Sequence, residues 1–154
     1  MIAVQGERTV PSARALARGV ARLMDDLGFS AIPEFRLGNG RRIDLAGVDA
    51  RGRIMMVEIK SSLADYRADS KWPEYLGYCD LFYFAVGGGF PCGVLAESGA
   101  LPDLTGLIVA DGFGGAVLRA AAERTLAPAR RRAELIRFAR TAAARLNLRA
   151  DPYS

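Results

Sequence analysis

The alternation of apolar and polar positions divides the chain into recognisable elements. Over residues 11–27, Leu16, Val20, Leu23, Met24 and Leu27 recur at helical spacing, with Arg14, Arg18 and Arg22 off that stripe. Pro11 suits a first helical turn and Gly28 a terminus, so the pattern predicts an amphipathic helix. Three strand-like segments follow, at 30–37, 41–48 and 53–61, separated by the turns GNG and DARG. Residues 65–79 have helical composition, with a break expected near Ser70 and Pro73 opening a second helical piece. LFYFAV (81–86) is wholly apolar, as in a strand buried on both faces, and GLIVAD (106–111) predicts another. GAVLRA is open between strand and helix start. The last helix is expected over 128–146, with Leu135, Ile136, Phe138 and Ala139 inward and Arg130, Arg131, Arg137, Arg140 and Arg145 largely outward. The order predicts an α/β domain built on a mixed sheet flanked by helices, with a basic C-terminal helix. No repeat or linker interrupts the 154 residues, so a single domain over 1–154 is expected.

The third strand breaks its own pattern. In RIMMVEIK, Glu58 and Lys60 stand two apart in an apolar run, and residues two apart on a strand share a face. A hairpin centred on Arg51 sets Asp44 opposite Glu58, and a turn centred on Asn39 sets Glu34 opposite Asp44. Strict alternation puts Ile43 and Leu45 on one face of the second strand and Asp44 on the other. That register aligns Glu34, Asp44 and Glu58 across three neighbouring strands, with Lys60 beside them. Carboxylates abreast repel, so a compensating charge or raised pKa values are required. Lys60 supplies one positive charge, and a hard divalent cation with oxygen ligands supplies the rest. Such an ion can lower the pKa of a water and stabilise charge on a phosphoryl oxygen. The alternative is a cross-strand salt bridge on a solvated face.

Composition sharpens this picture. The chain has no histidine, which excludes Ser-His-Asp and Cys-His catalysis and His-ligated zinc. Cys79 and Cys92 make neither a metal-binding spacing nor a disulfide framework. Only two of the 21 basic residues are lysine, Lys60 and Lys71, positions where a compact point charge fits better than a guanidinium fork. Residues 1–113 carry 12 basic and 14 acidic side chains, whereas 114–154 carry 9 and 3, so the basic end can face a polyanion. No run is long enough to span a membrane and the N-terminus lacks a signal-peptide core, which makes the cytoplasm the expected location. The glycine-rich VGGGFPCG (86–93) has no P-loop lysine and is expected to be a loop bordering the site.

An Asp on the second strand and Glu-x-Lys on the third, after an N-terminal helix, resembles the PD-(D/E)XK nuclease superfamily, whose fold is restriction-endonuclease-like. The longer stretch PEFRLGNGRRIDL … VEIKSSLADYRADSKWPEYLGYCDLFYFAV resembles the MmcB-like family of bacterial DNA-repair proteins. The resemblance implies an α-β-β-β-α-β core and a Mg²⁺- or Mn²⁺-dependent endodeoxyribonuclease. It makes Asp44 and Glu58 metal ligands together with the Ile59 carbonyl, and gives Lys60 the attacking water and the transition state. The superfamily's acidic residue on the first helix has no counterpart here, and Glu34 is the expected substitute. DNA is the expected partner. Arg67 and Lys71 are candidates for phosphate contacts, Trp72 and Tyr75 for base stacking or, alternatively, for packing the helix onto the sheet. Asp69 is expected to cap the second helical piece. The basic last helix is a further candidate for gripping duplex backbone. Proteins of this fold can also bind without cleaving, so a catalytically silent DNA-binding or repair-partner module is the alternative, and an RNA or small-molecule phosphodiesterase a third. A homodimer and a repair-protein partner stay open.

Overall fold

The computed structural model describes residues 11–90 and 104–149. In chain order the elements are α1 (Ala13–Asp26), β1 (Ser30–Arg36), β2 (Arg42–Val48), β3 (Ile54–Lys60), α2 (Leu63–Ala68), a 3₁₀ segment (Trp72–Tyr78), β4 (Leu81–Gly87), β5 (Thr105–Ala110), β6 (Gly115–Arg119) and α3 (Pro128–Arg149). The strands form one six-stranded sheet in sequential order. The pairs β1–β2, β2–β3 and β5–β6 are antiparallel, while β3–β4 and β4–β5 are parallel. Parallel strands need a long crossover, and α2 with the 3₁₀ segment provides it between β3 and β4. This is the α-β-β-β-α-β core that the sequence implied, extended by β5, β6 and α3.

The sheet is the middle of three layers. Leu16, Val20, Leu23 and Met24 of α1 pack with Leu45, Met55, Val57, Tyr83 and Ile108 on one face. Phe35, Ile43, Met56, Phe82 and Phe84 form the other core, covered by Tyr66, Trp72, Tyr75, Leu135 and Phe138. Being buried on both faces explains why β4 reads as an unbroken apolar run. Ser12 caps α1, its hydroxyl accepting from the Ala15 amide, so Pro11 precedes the helix rather than opening its first turn. Gly28 takes φ +90°, a conformation open to glycine, and ends the helix. α1 can approach the β5–β6 turn because residue 19 is glycine: a Cβ there would lie 1.8 Å from the Asp111 carbonyl oxygen.

Three expectations about orientation need correction. Leu27 was expected inward but ends the helix 46% exposed. Ile136 is 49% exposed and Ala139 is also exposed, while Arg131, Glu134 and Arg145 turn toward the body of the protein. α3 is docked by polar ties as well as by Leu135 and Phe138, a pattern that a search for an apolar stripe misses. Finally, Ile43 and Leu45 do not share a face: Ile43 joins the core under α3 and Leu45 the core under α1. The alternation is broken between them, at Asp44. The break is matched on β1, where Glu34 has φ +50°. The Pro33↔Leu45 and Phe35↔Ile43 pairs on either side keep the ladder in the expected register. GAVLRA, left open by the sequence, is strand β6. Cys79 is buried and free. Of the glycine-rich segment, Val86 and Gly87 end β4 and a turn follows, with the Phe90 amide donating to the Gly87 carbonyl, whereas Cys92 and its neighbours at 91 and 93 lie outside the described residues.

Candidate active site

The site lies where the sheet splits. β2 and β3 pair from Val48↔Ile54 to Leu45↔Val57, and the ladder stops there. Beyond that point β2 continues with β1 as far as Arg36↔Arg42, and β3 continues with β4 as far as Lys60↔Val86. The two strands part at Asp44 and Glu58, the positions that the register sets opposite each other. Asp44 partly spans the gap, its Oδ2 accepting the Ile59 amide at 2.7 Å. Tyr75 closes it from below, its hydroxyl donating to the Arg42 carbonyl at 3.1 Å. Backbone groups released by the parting thus find side-chain partners, as buried backbone must.

Glu58 is the most perturbed group in the wedge. Burial, a hydrogen bond with the Asp44 carboxyl and the charge of Asp44 push its pKa up to about 9, against a smaller opposing pull from Lys60. Glu58 keeps its proton because a second negative charge beside the Asp44 carboxyl is costly in a partly buried gap. Glu58 Oε2 is buried with no hydrogen-bond partner. Such an orphaned oxygen beside a second carboxylate is what a hard cation would satisfy. Mg²⁺ is typically held by one or two carboxylates with water completing the shell, so the Asp44–Glu58 pair with the Ile59 carbonyl fits such an ion in donor chemistry. Among the described residues no group of three or more His, Cys, Asp or Glu could hold a metal. Glu34 therefore borders the same cleft without joining a three-carboxylate set.

Lys60 departs from the simple row. Its ammonium lies 2.6 Å from Asp69 Oδ2, with the two side chains only 11% and 8% exposed. Asp69 Oδ1 in turn accepts the amides of Lys71, at 2.8 Å, and Trp72, at 3.1 Å. Burial raises the Asp69 pKa, but Lys60 and these amides outweigh it and hold the carboxyl below its ordinary value. The N-cap of the 3₁₀ segment is Lys71, with no side-chain cap bond, so the expected capping role of Asp69 is corrected: it ends α2, receives the two amides that lead into the segment, and anchors the lysine. The sequence signal was present as a polar residue just before Lys71 and Trp72, but nothing local revealed that it reaches Lys60.

Two clefts meet at Glu58 and Ile59. The larger, about 1130 Å³, holds Glu34, Asp44 and Glu58, and the smaller, about 440 Å³, holds Lys60, Asp69, Lys71 and Tyr75. Lys71 is exposed at the smaller cleft and Arg67 is exposed on α2. Trp72 packs against Phe82 and Phe84, and Tyr75, 6% exposed, stacks on Phe82. These two rings are occupied by the core, so the packing alternative holds and base stacking on Tyr75 is corrected. Burial, with the Glu58, Asp69 and Asp44 charges, pushes the Tyr75 phenol up to about 12, which leaves it a hydrogen-bond donor rather than a base.

The family model described as DNA repair protein MmcB-like matches residues 3–153. The solved structure of the SPO1766 protein of unknown function from Silicibacter pomeroyi is 41% identical, with a TM-score of 0.79 over 90% of this chain and 92% of that one. A repair endonuclease from Pyrococcus abyssi aligns at 19% identity and a TM-score of 0.38, over 69% of this chain and 49% of the other. No curated protein matches the chain.

Proposed function

The chain belongs to the MmcB-like family of DNA repair proteins, and from that premise we propose that it is a metal-dependent deoxyribonuclease whose site is the wedge at Asp44, Glu58 and Lys60. The observation that carries this reading is the pair of abutting carboxyls with an orphaned, buried Glu58 oxygen. Asp44, Glu58 and the Ile59 carbonyl would hold Mg²⁺ or Mn²⁺. When bound, the ion would activate a water and stabilise charge on the phosphoryl oxygens. The chain's own groups do the rest. Asp44 is fixed by the Ile59 amide, which keeps its carboxylate in the gap. Glu58 would lose its proton to solvent on serving as an oxygen ligand. Lys60, held by Asp69, presents a fixed positive charge beside Glu58 for the scissile phosphate. Glu34 borders the cleft and orients water from its far side. Arg67 and Lys71, exposed near the smaller cleft, meet flanking phosphates. No helix among the described residues is long and apolar enough to cross a membrane, and the cytoplasm, where DNA is repaired, is the proposed location.

One observation favours a second reading. Lys60 is tied to Asp69 in the smaller cleft, and no third carboxylate completes a ligand group among the described residues. A module that keeps the fold and binds DNA without cutting it would show the same features. The two readings separate in cleavage of labelled duplex, single-stranded, flapped and branched DNA with Mg²⁺ or Mn²⁺. The nuclease reading expects metal-dependent cutting that Lys60→Ala reduces at least about a hundredfold. A folded protein that binds these DNAs and cuts none supports the binding module instead.

A further inference from the structure

The larger cleft has an acidic floor and a basic rim that comes from two separate helices. Asp44 and Glu58 lie at the floor. On one side stands α1, with Arg14 and Arg18 at the cleft and both exposed. On the other stands the end of α3, with Arg149 exposed at the same cleft. The position of Arg149 follows from the residue one turn before it. Arg145 donates to the Pro33 carbonyl and, at 2.6 Å, to the Glu34 carbonyl. This clamps the end of α3 onto β1 and directs the next turn of its face over the cleft.

We infer that Arg14 and Arg18 of α1, with Arg149 of α3, form a track for a nucleic-acid phosphate backbone across the Asp44–Glu58 wedge. The inference rests on the reading that this site meets DNA, and it assigns the residues and the kind of contact. Arg14 and Arg18 are four apart, about 6 Å along the axis, close to the spacing of successive phosphates in one strand. Ala13, Ala17 and Ala21 also face the cleft, so the wall of α1 is low between its arginines and a backbone can lie against it. No aromatic side chain lines the cleft among the described residues, and Trp72 and Tyr75 are committed to the core. The described residues therefore give this track no stacking platform, the usual means of holding bases in a single-strand groove. What remains is charge on phosphate, which positions a strand without reading its sequence. The basic rim also offsets the repulsion between an acidic floor and a polyanion.

The test is the binding of labelled duplexes of two unrelated sequences, by fluorescence anisotropy, with Ca²⁺ present and across a range of salt. Arg14→Gln/Arg18→Gln and Arg149→Gln are compared with Arg51→Gln/Arg124→Gln, which removes the same charge as the first pair from exposed loop positions outside the cleft. The α1 pair should weaken binding roughly tenfold on both sequences and reduce the salt slope by about 2, near 0.9 per lost contact. Arg149→Gln should lower the slope by about 1, and the control pair should change it little. Equal losses in the control pair, or wild-type binding by the α1 pair, would overturn the track. Cleavage is not the readout, so the two readings fail separately. A protein that binds through this rim but cuts nothing loses the nuclease reading and keeps the track. One that cuts while its rim variants bind as wild type loses the track and keeps the nuclease.

Discussion

Glu58 concentrates the chemistry of the site in one side chain. Its carboxyl is pushed up to about 9 by burial first and by Asp44 second, from an ordinary value of 4.5. Between those values the unfolded chain releases this proton and the folded one keeps it, so the contribution of Glu58 to stability falls as pH rises. Below about pH 4.5 both states hold the proton and the cost vanishes. Glu58→Gln should remove this slope and stabilise the metal-free protein at pH 7 by up to about 3 kcal/mol. Thermal melts of both proteins from pH 5 to pH 9 measure it, and parallel curves would contradict it. Asp69 matters in a different way, through position. Asp69→Asn keeps an oxygen for the Lys71 and Trp72 amides while removing the charge that faces Lys60. Because the chain has only two lysines, ¹⁵N-lysine labelling separates them by NMR. The Lys60 ammonium protons should exchange slowly in the wild type and rapidly in the variant. Unchanged protection would mean that the pair does not persist in solution. The alternation of Glu58 and Lys60 was legible in the sequence because it is a property of any strand. The diversion of Lys60 to Asp69 was not, since it depends on where the chain returns after α2.

At the scale of elements, the parted strands explain both what the sequence revealed and what it hid. The hairpins fixed the register: Pro33↔Leu45, Phe35↔Ile43 and Leu45↔Val57 are the pairs expected from turns centred on Asn39 and Arg51. The same arithmetic assumed unbroken alternation, and this failed at Glu34 and Asp44, where a left-handed residue and a terminated ladder twist the hairpin away from β3. α3 was misread for a related reason. Its inward face carries Arg131, whose guanidinium meets the buried Asp80 at 2.5 and 2.7 Å and the Gly52 carbonyl at 2.9 Å. Burial raises the Asp80 pKa, but Arg131 and the Ile54 amide outweigh it and keep the carboxyl below its ordinary value. Asp80 also bonds the Ile54 amide, at 2.7 Å, so this pair joins α3 to the start of β3. Arg131→Ala leaves a buried carboxylate without its cation and should cost about 3–5 kcal/mol. Urea unfolding would show it, and a loss below about 1 kcal/mol, typical of exposed pairs, would mean that the tie is dispensable.

For the molecule as a whole, the wedge is a consequence of topology. The β1–β2 hairpin leaves the sheet at Asp44 while β3 follows β4, and helices from opposite faces reach the resulting gap. That arrangement brings an acidic pair, an anchored lysine and a basic rim together from distant parts of the chain. The α-β-β-β-α-β order and the acidic pair were readable from hydrophobic period and turn spacing, because both are local. The rim was not, because Arg14, Arg18 and Arg149 come from opposite ends of the sequence and look like solvated helix charges until the helices are placed. The central claim is that Asp44 and Glu58 hold a divalent cation. The measurement that meets it most directly is anomalous diffraction from crystals soaked in Mn²⁺, for the wild type and Glu58→Gln. The account predicts a peak within bonding distance of the Asp44 and Glu58 carboxylates in the wild type, lost or much weakened in the variant. A wild-type wedge with no peak, or a peak that the variant keeps at full height, would contradict it.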